Sequence, residues 1–277
     1  MYKTILVHVD GTARAAERID AAARLALTFE SHLVGAAMTG LSPYMFPMGD
    51  LGAVPANFAL PLAQLRADAE HALDVFEARV RTTAVGSFER RRMDEEAGMG
   101  LSLQARYCDL VVIGHSGAAG APFMRADFPE YVLLHTARPV LVLPAQGQCA
   151  SIGEKVLVAW NGSPNAVRAI VSALALLQRA RRVELLVLNA DSDGGPHGEV
   201  PGADMGLYLA RHGVQVDVCA ADSDTSVGEA LLGHAADAGV DLIVMGAYGH
   251  SRFRDILLGG ATRSVLAASP LPLWMAH

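Results

Sequence analysis

The chain repeats itself, and this constrains its fold more than any other feature. Ile5–Thr12 (ILVHVDGT) resembles Val156–Ser163 (VLVAWNGS). Asp109–Gly114 (DLVVIG) resembles Asp241–Gly246 (DLIVMG), and Arg138–Val142 (RPVLV) resembles Leu271–Met275 (LPLWM). A chain of 277 residues accommodates two domains of common size. The expected domains are 1–147 and 153–277, with a short polar linker near Ala145–Gly153. The first half is the longer, and all its extra length precedes Asp109. That length is assigned to Leu41–Pro61, a stretch rich in Pro, Gly and Met without clear periodicity, read as a long loop or flap.

Each half alternates strand and helix patterns. In the second half, Lys155–Trp160, Val183–Asn189, Val214–Cys219, Asp241–Gly246 and Leu271–Met275 read as strands. Between them Pro164–Arg179 has Val167, Ile170, Val171, Leu174 and Leu177 at helical spacing; Asp204–His212, Ser226–Ala238 and Gly260–Ala268 also read as helices. In the first half, Leu62, Leu65, Ala69, Leu73, Phe76 and Val80 mark a longer helix. Such alternation implies parallel strands with right-handed crossovers. The expected fold is α/β: two tandem doubly wound domains, each a five-stranded parallel sheet of order 3-2-1-4-5.

Composition narrows the function. Apolar residues make up 52% and the mean hydropathy is +0.28, yet apolar runs such as Leu110–Gly114 are strand length, so no membrane span is expected. A net charge of −7 argues against nucleic acid as a partner. The N-terminus carries no charged leader followed by an apolar region. Cys108, Cys149 and Cys219 are widely spaced and odd in number, which suits a reducing, cytoplasmic compartment. Cys108 and Cys219 read as inert core thiols.

Ligands of a doubly wound sheet bind outside the carboxyl ends of the strands, where the winding reverses between strands 1 and 4. In the second half strand 1 ends at Asn161–Ser163 and strand 4 at Gly246–Gly249. From Gly246 the sequence runs Gly, two residues, Gly249, nine residues, then Gly259, Gly260, Ala261 and Thr262. Glycines allow close backbone approach to a ligand, and a helix starting after Gly260 offers free N–H groups to an anion. Arg252, Arg254 and Arg263 are placed to neutralise phosphate or simply to be solvated.

This signature, with the Arg263–Leu266 segment after it, resembles the universal stress protein family, specifically its bacterial tandem-domain members. The resemblance covers almost the entire chain twice and is looser in the first half. It implies domains of the adenine nucleotide alpha hydrolase-like or flavodoxin-like kind. It also implies binding of ATP or a related adenine nucleotide, often with a divalent ion such as Mg²⁺, without efficient catalysis. Carried over residue by residue, it assigns nucleotide contacts to Asn161, Leu188, Met245, Gly246, Gly249, Gly259, Gly260 and Ala261. Thr262 is added as a hydroxyl donor. Asn161 stands where the family has Asp, and Gly260 where it has Ser, which weakens the expected site. The family's last strands, here Arg138–Leu143 and Leu271–Met275, are expected to meet, forming an internal pseudo-dimer that stays monomeric or pairs again.

The first half keeps Asp10 and Gly114–Gly117. Where the second half has Gly259–Thr262, however, it has Ala126, Asp127, Phe128 and Pro129. An acidic side chain and a residue without N–H do not cradle phosphate, so this site is expected to be degenerate. His8, Asp10 and His115 could converge as metal ligands; polar residues lining a vestigial pocket are the default. No nucleophile elbow, HExxH or P-loop is present, and neither a catalytic residue nor a metal set is assigned. The leading expectation is a nucleotide-binding stress regulator. Two alternatives stay open. One is a nucleotide-independent scaffold or ligand-sequestering stress protein using the Leu41–Pro61 insertion, read as made apolar by Met38, Met45 and Met48 with Tyr44, Phe46 and Phe58; the other is a slow ATPase.

Overall fold

The computed structural model describes residues 2–41, 56–115, 127–147, 149, 151–190, 200–248 and 260–277. By contacts the chain divides into two units, Met1–Arg138 and Pro139–His277.

The first unit contains β1 (Thr4–His8), α1 (Ala15–Phe29), β2 (His32–Met38), α2 (Ala56–Arg81), β3 (Phe88–Met93), α3 (Ala97–Ala105), β4 (Leu110–Gly114) and α4 (Phe128–His135). Its strands run parallel: β1 pairs with β2 and β4, and β2 pairs with β3, giving the order β3-β2-β1-β4. β1, β2 and β4 are almost wholly buried, as expected of parallel strands covered on both faces. α2 begins at Ala56, so the end of the Leu41–Pro61 insertion is helical, not loop. Residues 42–55, the rest of that insertion, lie outside the described residues.

The second unit contains β5 (Val140–Leu143), β6 (Lys155–Ala159), α5 (Pro164–Leu177), β7 (Arg182–Leu188), α6 (Ala203–Arg211), β8 (Val216–Ala221), α7 (Val227–Ala238), β9 (Leu242–Gly246), α8 (Ala261–Ala268) and β10 (Leu273–Ala276). Counting its repeat strands from β6, the parallel order β8-β7-β6-β9-β10 is 3-2-1-4-5. β5 joins the far edge of β10, antiparallel, with Leu141 opposite Trp274. The two last strands of the repeats therefore meet, as expected.

Local chemistry sets the element ends. Ser163 caps α5 through its side chain on Ala166 N–H, with Pro164 opening the helix. Ser226 and Glu229 form a reciprocal capping box on α7. The repeated aspartates have a physical reason. The Asp109 carboxylate accepts the Lys3 and Thr4 N–H groups at 2.7 and 2.9 Å. Asp241 accepts those of Gly153, Glu154 and Lys155 at 3.0–3.1 Å. Each pins the start of strand 1 to the start of strand 4, which fixes the register that brings their carboxyl ends together.

Candidate functional site

Gly246, the last residue of β9, sits against the first turn of α5. A Cβ there would lie 2.5 Å from the Ala166 nitrogen, so only glycine lets the strand end approach that helix. Asn161 follows β6 in an exposed turn, where its Oδ1 accepts the Ser163 N–H at 3.2 Å. Its amide oxygen is thus turned to its own backbone. Met245 is buried in β9, in register with Met275. Leu188 ends β7 half-buried, in register with Ala221 of β8.

α8 begins at Ala261 after Gly260, whose lack of a side chain leaves the N-cap position without a side-chain hydrogen bond. Thr262, in its first turn, is buried, and its Oγ1 accepts the Tyr248 N–H at 3.1 Å. Thr262 was expected to donate to a ligand; its immediate use is to hold the end of β9 beside the start of α8. Tyr248 adopts φ 55°, a left-handed conformation rare for a non-glycine residue. Arg263 is exposed. Gly249 and Gly259 lie outside the described residues, as do His250, Arg252 and Arg254. Of the nine expected contacts, the structure thus brings Gly246 near the start of α5 and ties Tyr248, just after β9, to Thr262 in the turn that follows Gly260 and Ala261.

Asn165 was not anticipated. Buried in the first turn of α5, it donates from Nδ2 to the Ala247 carbonyl at 2.6 Å. His277 Nδ1 lies 3.0 Å from both Asn165 Nδ2 and that carbonyl. An Asn following Ser163 and Pro164 reads as an ordinary helix start, so the sequence carries no signal for this tie across the strand ends.

In the first unit the same strand ends are filled. Arg18 of α1 is 4% exposed; its Nη2 lies 2.8 Å from Asp10 Oδ1, and its Nε donates to the His8 carbonyl at 2.6 Å. Gly114, the counterpart of Gly246, makes room for this guanidinium: a Cβ would lie 2.6 Å from Arg18 Nη1. Asp127 precedes α4 as Gly260 precedes α8. The next residue, Phe128, is 1% exposed with its ring 5.2 Å from that of His8. Arg18 was missed, although a signal existed. It falls among Ala15, Ile19 and Ala22 on the buried face of its helix, where an arginine requires a partner.

Burial would raise the Asp10 pKa, but the neighbouring His8 and Arg18 and the Thr12 hydrogen bonds outweigh it and hold the carboxyl below its usual range. Burial lowers the His8 pKa to about 4, with Asp10 opposing and Arg18 assisting. His8 and Asp10 do converge, at 3.5 Å, but the third group is a cation, which disfavours the metal trio considered with His115. The His115 Nδ1 is buried without a hydrogen-bond partner among the described residues. Burial pushes the Cys108 thiol up to about 11, consistent with an inert core group. Cys219, expected to be another core thiol, is only half-buried and lies within β8.

The family model described as "Universal stress protein family" matches residues 1–144 and 153–277. A universal stress protein of Synechocystis sp. is 26% identical over 170 residues; the match covers 60% of this chain and 56% of that relative. Among solved structures, a universal stress protein from Archaeoglobus fulgidus superposes with a TM-score of 0.75 at 16% identity, covering 99% of this chain and 95% of that one. A functionally unknown protein from Pseudomonas aeruginosa gives 0.60 at 14% identity, covering 99% and 92%. At these identities the structures speak for the fold.

Proposed function

The chain belongs to the universal stress protein family in both of its halves, and from that premise we propose that the second unit binds ATP or a related adenine nucleotide while the first does not. One observation carries the reading: among the described residues α8 starts without a side-chain cap, beside the end of β9 and held there by Thr262 on the Tyr248 N–H. Uncapped N–H groups at a helix start suit an anion, and phosphates are the anion that the family's signature accommodates.

The donor set fits a nucleotide better than its metal. Gly260 and Ala261 offer backbone, Asn161 a neutral amide, and Met245 and Leu188 apolar neighbours at the strand ends. No carboxylate stands at Asn161, so the reading assigns no protein ligand to a divalent ion. In the first unit, among the described residues, Arg18 and Phe128 stand at the corresponding strand ends, Arg18 on Asp10 and Phe128 beside His8.

The bound nucleotide would act as a signal rather than a substrate, biasing the segments that meet it. Calorimetric titration of the intact protein with ATP tests the proposal. One site per chain is expected. Two equal sites would refute the division between the units, and absence of binding with and without Mg²⁺ would refute the proposal itself.

A further inference from the structure

A second polar constellation lies away from these strand ends. Glu184 on β7, Cys219 on β8 and His234 on α7 place one carboxylate oxygen, one sulfur and one ring nitrogen within 4.8 Å of one another. The register explains the meeting. Glu184 pairs with Asp217 and Leu186 with Cys219, so Glu184 and Cys219 share one face of the parallel strands two positions apart. His234 reaches the same carboxylate from the helix, donating from Nε2 to Glu184 Oε1. The other oxygen, Oε2, lies 3.5 Å from Arg182 Nη2. Glu184 is only 8% exposed, and a buried carboxylate is costly unless it is well compensated.

The fold itself does not require these residues. Following the strand registers, Val34 of the first unit stands where Glu184 does, and Arg91 stands for Cys219. Ser102, seven residues before Asp109 as His234 is before Asp241, stands for His234. Val34 and Ser102 are both buried there, Ser102 bonding its own helix through the Gly98 carbonyl. The same scaffold is therefore built once with none of the three ligand types and once with all three.

We propose that Glu184, Cys219 and His234 form a binding site for a zinc-class divalent cation. One thiolate, one imidazole and one carboxylate are the donors that zinc takes, and they differ from the oxygen-only sets preferred by Mg²⁺ or Ca²⁺. Three protein ligands leave a fourth position for water, and the half-exposed Cys219 and His234 give access to it. Metal–ligand bonds of about 2.0–2.3 Å require the three donor atoms to draw into one shell and the His234–Glu184 hydrogen bond to open. Binding through Nε2 takes the other imidazole tautomer, with the ring proton carried on Nδ1, and the Cys219 thiol gives up its proton, so binding releases one proton to solvent. Arg182 orients the carboxylate from behind, as outer partners of metal ligands do. The bound ion would tie α7 to β7 and β8. This site needs no nucleotide and stands independently of the function proposed above.

The test uses untagged full-length protein, stripped with a chelator, kept reduced and free of nucleotide, and titrated with Co²⁺ and then Zn²⁺. One equivalent of Co²⁺ is expected to produce thiolate-to-cobalt charge-transfer absorption, which Zn²⁺ then abolishes. Cys219→Ser should remove that absorption, while Cys149→Ser retains it. Glu184→Gln and His234→Gln should each weaken binding by at least about 10-fold, with circular dichroism unchanged. Failure to bind one equivalent, absorption that survives Cys219→Ser, or unaltered affinity in His234→Gln would overturn the assignment. If Glu184→Gln fails to fold, the half-exposed Cys219 and His234 variants still decide the question.

Discussion

The Arg18 guanidinium lies 2.8 Å from the Asp10 carboxylate, and both side chains are largely buried at the point where the second unit has Ala169 and Asn161. Removing one partner of a buried pair leaves the other charged and uncompensated, whereas removing both can be nearly neutral. Arg18→Met should therefore cost about 3 kcal/mol, and adding Asp10→Asn should recover most of it. Urea denaturation followed by circular dichroism reads both variants. Equal losses in the single and double variants would show that the pair is not the source of the stability.

His8 makes the stability of the first unit depend on pH. Its folded pKa is about 4 against an ordinary 6.5, so between these values the unfolded chain binds a proton that the folded chain refuses. Stability present above about 6.5 is lost as pH falls toward 4, by on the order of 3 kcal/mol. The depressed Asp10 adds a loss of the same sign at lower pH, beginning near its unfolded value of 3.8. His8→Gln should flatten the dependence between pH 6.5 and 4, measured as the urea midpoint at each pH. An unchanged slope would place the titration elsewhere.

The fold was legible because its cause is periodic and local. Apolar runs bounded by turns gave the strands, and the paired Asp109 and Asp241 marked where each strand 4 begins. The order of the second unit followed from alternation of strand and helix. Of the candidate site, Gly246, Gly260 and Thr262 stood out in the sequence, by their place after strand 4 and before a helix. Arg18 escaped because its partners, Asp10 and the His8 carbonyl, belong to another element, and its place on an apolar face was the only local hint. Asn165 gave none, since its partner Ala247 is 82 positions away. Glu184, Cys219 and His234 come from three elements and meet through a strand register that sequence spacing does not reveal.

The two strand-end glycines should respond differently to a methyl group. At Gly246 the new Cβ meets backbone of α5, which cannot yield without moving the helix. At Gly114 it meets the tip of the Arg18 side chain, which can rotate. Gly246→Ala should cost about 2 kcal/mol or more, and Gly114→Ala less. Trp160 and Trp274 both belong to the second unit, so their fluorescence reports the Gly246 variant directly. A larger loss in Gly114→Ala would reverse the assignment of rigid and yielding neighbours.

Gly260 offers a gain-of-function test of the nucleotide site. Its backbone, at φ −37° and ψ 161°, is not left-handed, so a side chain there meets no left-handed backbone strain. Serine is a strong helix N-cap and adds a hydroxyl where phosphate would rest, so Gly260→Ser should raise stability by a few tenths of a kcal/mol. It should also tighten ATP binding, with Asn161→Asp strengthening its dependence on Mg²⁺. Thr262→Val should act in the opposite direction: it keeps the packing but deprives the Tyr248 N–H of its acceptor, costing about 1 kcal/mol and loosening the strand end from α8. Calorimetry on the three variants separates the contributions. If Gly260→Ser gains stability without affinity, the start of α8 is a structural cap and the nucleotide, if bound, lies elsewhere. If affinity rises with Gly260→Ser and falls with Thr262→Val, the phosphates rest on the first turn of α8.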